Sequence, residues 1–239
     1  TFRHLKTQRV GGRPLQKSYA LFDFDGTLLK GDSIVRFCLY ARRKGLCGKG
    51  DLLYGAWMAV LYVCRLTTAE RAKQASLRFL AGKEEQQLST LAESFCREVL
   101  VPALYPQGVE ALQCERMQGA EVLLLTASPS FYLEPLKQRL GITEIIGTRM
   151  DVQNGVFSGL ICGDNCRGVQ KPLRLAEYLA AKGDRLVYDE SSAYGDSGSD
   201  LPMLQLCRRK IAVNPKRKLL RRLQHEQNVT VAHWANPAS

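Results

Sequence analysis

Short apolar runs rich in β-forming residues alternate along the chain with amphipathic helical patterns, and each helical pattern is followed by a glycine stop signal. This alternation predicts an α/β fold with a parallel sheet. Asn154-Gly155, between two further β-prone runs, predicts a hairpin that adds an antiparallel ribbon. Strands are expected at 19–24, 121–126, 144–148, 191–194 and 210–213, and core helices at 106–118, 131–140 and 169–182.

Residues 33–100 separate the first two strands and are far more than one crossover needs. Their helical periodicity predicts a helical domain inserted between two parts of the core, 18–32 and 101–239. Thr67 with Glu70 predicts a capping box for the third inserted helix. We interpret the polar, basic residues 1–17 as a loose N-terminal arm or a cloning remnant. The four inserted helices are expected at 33–44, 52–65, 68–81 and 84–100.

The second inserted helix is unusual, because residues 52–64 carry no charged side chain and are apolar nearly all round. A helix of this length extends about 20 Å, short of the roughly 30 Å hydrocarbon core of a bilayer. We expect it to be buried against the other inserted helices or to form a contact between copies. Cations on both sides leave a contact with anionic lipid open. They are Arg42, Arg43, Lys44, Lys49 and Arg65.

The composition of the 239 residues, 45% hydrophobic and 24% charged, is typical of a soluble globular protein. The eight cysteines are scattered, which favours a reduced, cytoplasmic setting over a secreted disulfide scaffold. The net charge is +11, and a cluster of cations lies within residues 208–222. No aromatic residues are interleaved with that cluster, so a nucleic-acid partner is not expected. The sequence leaves the oligomeric state open.

Polar residues follow three of the predicted strands. Asp23 and Asp25 follow the first, and strand alternation places them on the same side of the chain. Neighbouring carboxylates resist ionisation unless a cation or a shared proton relieves their repulsion, so the pair indicates a metal or proton-transfer site. The simpler interpretation is two acids solvated at a strand end. The remaining candidates are Thr126, Ala127 and Ser128 after the second strand, Asp196 and Asp200 after the fourth, and Lys171 at the helix between the third and fourth.

Four motifs occur in order, namely "DFDGT", "TAS", Lys171 and "GDSGSD". Together they resemble the haloacid dehalogenase superfamily, and the helical insertion is similar to the cap of its subfamily IB, the branch that includes phosphoserine phosphatase. The resemblance runs from about residue 19 to residue 215. It implies a Rossmann-like core with a parallel sheet and an all-helical cap domain over residues 33–100. It also implies a Mg²⁺-dependent phosphatase that forms an aspartyl-phosphate intermediate.

The resemblance assigns a role to each of these residues. Asp23 is the nucleophile, and Asp25 protonates the leaving oxygen and then activates water. Magnesium is held by the Asp23 carboxylate, the Asp25 backbone carbonyl and Asp196. The remaining residues are Thr126, Ala127, Ser128 and Lys171, which bind the phosphoryl group, and Thr27 and Asp200, which support the site from behind it.

Several alternatives remain at this stage. Asp25 argues against a dehalogenase, because that reaction has no leaving alkoxide to protonate, whereas a phosphomutase or a non-catalytic anion-binding protein stays open. The substrate is a phosphorylated small molecule or a lipid phosphate, with a membrane-surface contact in the second case. Phosphoserine itself is doubtful, because the chain departs from the phosphoserine phosphatase pattern at Asp32, at Thr126-Ala127-Ser128 and at Ser199.

Overall fold

A computed structural model describes residues 15–237 of the chain. Its strands are β1 (Leu15–Lys17), β2 (Tyr19–Phe22), β3 (Glu121–Pro129), β4 (Glu144–Gln153), β5 (Val156–Cys162), β6 (Asp184–Leu186), β7 (Ser192–Gly195), β8 (Arg209–Val213) and β9 (Val229–Ala232). The main sheet has the order β5-β4-β3-β2-β7-β8-β9, in which only β5 is antiparallel to its neighbour. Helices flank this sheet, so the prediction of a Rossmann-like α/β fold is confirmed.

Strand β2 lies in the middle of the sheet and is completely buried. It pairs in parallel with β3 on one side and with β7 on the other. The carboxyl ends of these three strands therefore meet at one edge of the sheet, where an open α/β fold forms its ligand crevice. This pairing brings together motifs that are far apart in the sequence.

Residues 15–17 differ from the loose arm expected for residues 1–17. They form β1, which pairs in parallel with β6 in a separate two-stranded sheet. The Lys17 ammonium lies 2.7 Å from Glu121 and 3.0 Å from Asp184, so ion pairs hold this strand to the core. The rest of the predicted arm lies outside the described residues.

The three predicted core helices are present with one correction, and two short helices that the sequence did not predict follow at Leu201–Leu204 and Arg217–Leu223. Residues 131–135 are not α-helical, although the sequence predicted one helix over 131–140. Pro135, which has no backbone N–H to donate, separates a short 3-10 turn at Ser130–Tyr132 from the helix α6. The core helices are α5 (Pro106–Met117), α6 (Leu136–Leu140), α7 (Gln170–Lys182), α8 (Leu201–Leu204) and α9 (Arg217–Leu223).

The inserted segment forms four helices that cover the carboxyl edge of the sheet. The N-cap residue of α3 differs from the prediction, because the side chain of Thr68 rather than that of Thr67 accepts a hydrogen bond from the backbone N–H of Arg71. Helix α4 ends before the predicted residue 100 and continues as a π-helical turn at Cys96–Leu100. The helices are α1 (Ser33–Arg43), α2 (Lys49–Val63), α3 (Ala69–Leu77) and α4 (Glu85–Phe95).

An aromatic cluster joins these helices to the core. Phe37 of α1 is fully buried and stacks on Tyr132 of the core with ring centroids 4.8 Å apart. Phe95 of α4 and Phe131 of the core contact the Phe37 ring edge-on, with ring centroids 5.2 and 5.4 Å from its centroid. Aromatic burial of this kind contributes strongly to stability, so the insertion is packed onto the core at this end.

One face of helix α2 is exposed, which corrects the expectation that residues 52–64 are buried against the other inserted helices and leaves a contact between copies open. Leu53, Trp57 and Val63 are 72%, 59% and 79% exposed. The opposite face packs on α3 at Gly55, where a Cβ would lie 3.1 Å from the Cα of Ser76. Among the helices of residues 15–237, none combines the length and the hydrophobicity that a membrane-spanning segment requires.

Candidate active site

Asp23 lies directly after β2, and its backbone N–H donates to the Tyr194 carbonyl of β7 at 2.9 Å. The Thr27 hydroxyl donates to its carboxylate at 3.3 Å. Gly26 between them has φ +86°, and a side chain there would overlap the Asp196 carboxylate. The tight turn after β2 thus requires glycine to admit the acid that arrives from the loop after β7.

Lys171, in the first turn of α7, bridges two of the predicted acids. Its ammonium lies 2.6 Å from Asp23 Oδ1 and 2.7 Å from Asp200 Oδ1, and it is 1% exposed. Burial alone would lower the pKa of Lys171, but the charges of Asp200 and Asp23 outweigh it and raise that pKa above its ordinary value. The lysine is therefore a fixed cation at the centre of the site.

Three buried carboxylates converge around this lysine. Each of Asp23, Asp196 and Asp200 offers an oxygen within 4.8 Å of the others. Burial, followed by the charge of Asp200, raises the pKa of Asp23, and burial also raises that of Asp196 although Lys216 lies 2.6 Å away. An excess of buried carboxylate oxygens over cations is the environment that a hard divalent ion stabilises, so the donor set fits such an ion.

Asp25 takes part in a separate set of contacts. Its carboxylate accepts a hydrogen bond from the backbone of Ser33 at 2.6 Å and another from the Ser128 hydroxyl. Burial and the nearby charge of Asp32 raise the pKa of Asp25 to about 6, although these hydrogen bonds act in the opposite direction. The two acids after β2 thus differ in environment, as separate nucleophilic and proton-transfer roles require.

The carboxyl-terminal part of β3, where its register with β4 shifts, holds the remaining predicted residues. Thr126 is fully buried, and its hydroxyl oxygen accepts from the backbone N–H of Ser128 at 3.0 Å, which leaves the hydroxyl proton for another acceptor. Ala127 and Ser128 line the same cavity as Asp23, whose volume is about 340 Å³. The structure therefore brings the predicted catalytic and metal residues together with Ala127 and Ser128 around one cavity, whereas Thr126, next to Ala127 in the chain, is fully buried and does not line it.

The cavity also contains charged residues that the sequence did not identify. Lys73 of α3 and Arg167 of the loop before α7 line it, together with Lys216. Lys216 donates its backbone N–H to the Asp196 carbonyl at 2.9 Å, so this lysine of the basic cluster over 208–222 lies at the acidic loop. The signal for Lys73 is its position, because residues 69, 72, 73 and 76 form one helical face that otherwise has only small side chains.

Comparison with known proteins addresses the identity of this site. Residues 20–205 match the family of haloacid dehalogenase-like hydrolases. The chain belongs to this family. A histidinol-phosphatase of Neisseria meningitidis is 29% identical over 221 residues, which cover 85% of this chain and 93% of that protein. The phosphoserine phosphatase SerB1 of Mycobacterium tuberculosis is also 29% identical, over 84% of this chain and 66% of its own length.

A solved structure resembles the whole chain. A Bordetella pertussis protein of unknown function has a TM-score of 0.82 and 29% identity, over 91% of this chain and 98% of its own. With the family match and the phosphatase relatives, this confirms the prediction of a phosphoric monoester hydrolase of the haloacid dehalogenase type, similar to phosphoserine phosphatase.

Proposed function

We propose that this hydrolase is a Mg²⁺-dependent phosphatase that hydrolyses a phosphate monoester through an aspartyl-phosphate at Asp23. The observation that supports it best is the pair of buried acids after β2. Asp23 lies against a fixed cation, Lys171, whereas Asp25 lies 2.6 Å from the backbone nitrogen of Ser33, away from that lysine. One acid is thus placed to attack phosphorus and the other to move a proton.

The reaction has two chemical steps. A carboxylate oxygen of Asp23 forms a bond to phosphorus while the ester P–O bond breaks, and Asp25 gives its proton to the leaving oxygen. Water then attacks the phosphorus of the aspartyl-phosphate, and Asp25 takes the proton that this water loses. The Asp23–phosphorus bond breaks, and inorganic phosphate is released with both acids restored.

Thr126 and Lys171 act on the phosphoryl group during both steps. The Thr126 hydroxyl donates to one of its oxygens, and the backbone of Ala127 and Ser128 forms the edge of the pocket. The Lys171 ammonium offsets charge on the phosphoryl group and on Asp23, which stabilises the transition state in a buried site. Magnesium would be held by the carboxylates of Asp23 and Asp196 and by the Asp25 carbonyl, with Asp200 and Thr27 in support. When bound, it neutralises the repulsion between the nucleophile and the phosphate.

Turnover of a generic aryl phosphate, with and without Mg²⁺, tests this proposal. Asp23→Asn should abolish both turnover and phosphoenzyme formation, because the neutral amide is a poor nucleophile and a poor ligand. Asp189→Asn, an exposed acid outside the cavity, is the matched control and should keep parent activity. Full activity of purified Asp23→Asn would rule out the mechanism. Transfer of the phosphoryl group to an acceptor instead of water would identify a phosphomutase.

The exposed face of α2 favours a second, narrower proposal, in which the substrate is an amphiphilic monoester reached from an anionic lipid surface by a cytoplasmic enzyme. Helical spacing places Lys49 on the same exposed face as Leu53, Trp57, Val60 and Val63, and Arg65 follows the helix. An apolar strip with cations at both ends complements anionic lipid, whereas a second copy of this face would bring like charges together. Ala59 of the same helix lines the catalytic cavity.

Vesicle binding tests this narrower proposal separately. The protein should bind phosphatidylserine-containing vesicles more tightly than pure phosphatidylcholine, and Trp57→Asp should weaken that binding. Met117→Asp, at a still more exposed apolar residue on the core, is the control. Self-association without vesicle binding would show that α2 contacts a second copy. A higher kcat/KM for small polar phosphates than for lipid phosphates would also contradict the proposal, and a metabolite screen that includes histidinol phosphate and phosphoserine provides the comparison.

A further inference from the structure

Lys73 is a buried cation that belongs to the inserted domain but makes its contacts in the core. It lies in the middle of α3 and is only 8% exposed. Its ammonium donates to the Ala127 carbonyl, to Asn165 Oδ1 at 2.5 Å, and more weakly to Thr148 Oγ1 at 3.4 Å. These acceptors belong to β3, β4 and the loop before α7, so one side chain joins four segments of the fold.

The three acceptors form a cluster of their own. The Thr148 hydroxyl lies 2.6 Å from the Ala127 carbonyl and 2.9 Å from Asn165 Oδ1, and it accepts the backbone N–H of Cys166 at 3.1 Å. Without a cationic donor, several buried oxygens would face one another across this gap, which is costly. The lysine completes the cluster, and its contact with the Ala127 carbonyl holds the end of β3 from the side of the inserted helices.

The contacts of the Lys73 ammonium are all neutral oxygens. Titratable groups that are not hydrogen-bonded to this ammonium also shift the pKa of Lys73. They are the carboxylates of Asp25 and Asp32, the Cys166 thiol and the Arg167 guanidinium. A buried ammonium with only neutral acceptors is retained at a cost in desolvation. That cost is consistent with a cation needed in a pocket that receives a phosphate dianion, in addition to Lys171 below it.

We propose that Lys73 is a positioning residue that links α3 to the phosphate-binding end of β3 through the Ala127 carbonyl, so that the placement of α3 and the shape of that strand end are coupled. The proposal rests on the proposed phosphatase function. It differs from a role in recognising the leaving group, because the ammonium contacts the protein segment that binds the phosphoryl group common to every substrate. Removal of this link therefore affects all phosphate monoesters equally, including those with an uncharged leaving group.

Steady-state kinetics of Lys73→Met and Lys73→Arg test the contact between Lys73 and the Ala127 carbonyl. The control is Lys83→Met, which changes a lysine of the inserted domain that does not line the cavity. In Lys73→Met we expect kcat/KM for an aryl phosphate with an uncharged leaving group to fall at least tenfold, mainly through an increase in KM. Inhibition by inorganic phosphate should weaken in parallel. Lys73→Arg, which keeps the donor and the charge, should recover part of the loss. Lys83→Met should match the parent protein.

A double-mutant cycle with Asn165→Ala separates this link from a general loss of packing. If Lys73 and Asn165 act through one cluster, the loss of kcat/KM in the double variant should be little greater than the loss in either single variant. Hydrogen exchange adds a readout that needs no activity, because Lys73→Met should expose amides of α3 and of residues 126–128 together. The exchange measurement stays informative even if the parent protein turned over no phosphate ester, which would overturn the proposed function.

Two results would overturn the proposal. One is an unchanged kcat/KM for the aryl phosphate with an uncharged leaving group, together with a lower kcat/KM for substrates whose leaving group is anionic. That result would place Lys73 against the leaving group of the substrate. The other is strict additivity with Asn165→Ala together with exchange changes limited to α3. A global melting temperature equal to that of the parent protein confirms that each variant is folded.

Discussion

The Lys171 ammonium lies 2.6 Å from the Asp23 carboxylate and 2.7 Å from that of Asp200, and all three groups are buried. The lysine enters from α7, whereas the acids follow β2 and β7. Asp23, the proposed nucleophile, is thus held by an ion pair between distant parts of the chain. Any change to one partner leaves the others as uncompensated buried charges.

Lys171→Met should lower kcat by about 10³-fold or more, because it removes the cation that offsets charge in the transition state. Stopped assays with an aryl phosphate measure the loss, and Lys182→Met at the exposed end of the same helix is the control. Retention of more than a tenth of parent activity would contradict the assigned role.

Asp25→Asn should slow both phosphoenzyme formation and its hydrolysis, by roughly 10² to 10⁴-fold. The amide keeps the size of the side chain but can neither give nor accept the proton. Rapid-quench measurement of phosphoenzyme separates the two steps. An aryl phosphate with a very acidic leaving group should lessen the defect of the first step only, and an equal defect for all leaving groups would argue against proton donation.

Asp196→Asn should weaken Mg²⁺ binding while leaving the nucleophile in place. We expect an increase in the Mg²⁺ concentration needed for half-maximal activity, with partial rescue at high metal, because one anionic oxygen ligand is lost. Titration of activity against Mg²⁺ provides the measurement. A metal dependence identical to that of the parent protein would show that Asp196 is not a ligand.

Activity should also fall as the pH rises through about 8. Burial, the main cause, lowers the pKa of Lys73 to about 8, partly opposed by the charge of Asp25. The ammonium is present below this pH and lost above it, so donation to the Ala127 carbonyl fails at alkaline pH. Asp32→Asn removes a charge that raises this pKa and should move the alkaline limb to lower pH. A limb at the same pH in Lys73→Arg would assign it to another group.

Phe37→Ala should destabilise the protein by about 3–5 kcal/mol, since it leaves a cavity between the inserted helices and the core. Chemical denaturation measures the change. Leu39→Ala, on the exposed side of the same helix, should cost far less. Equal effects of the two substitutions would mean that the aromatic cluster does not join the two parts.

The residues that follow strands could be predicted from the sequence, because the parallel pairing of β2 with β3 and β7 brings strand ends to one edge. That argument places Asp23, Thr126 and Asp196 together without knowledge of any side-chain contact. It does not predict the position of Lys73, which depends on how α3 packs against the end of β3. It also does not predict the hydrogen bond from Ser128 to Asp25, which depends on the local path of the chain at that strand end. For α2, apolar composition indicates only that a face needs a partner, and whether the chain itself supplies that partner is decided by tertiary packing.

Both connections of the inserted domain lie side by side against the turn after β2. Leu29 forms an antiparallel bridge with Leu104, and Lys30 and Tyr105 donate to the carbonyls of Ala103 and Leu28 at 3.1 and 2.9 Å. The insertion therefore leaves the core only about 5 Å from where it entered, the spacing of bridged residues. It is an exchangeable module: one short peptide could close the gap, and a helical domain from a relative could be grafted at the same two points to change substrate preference without moving the nucleophile.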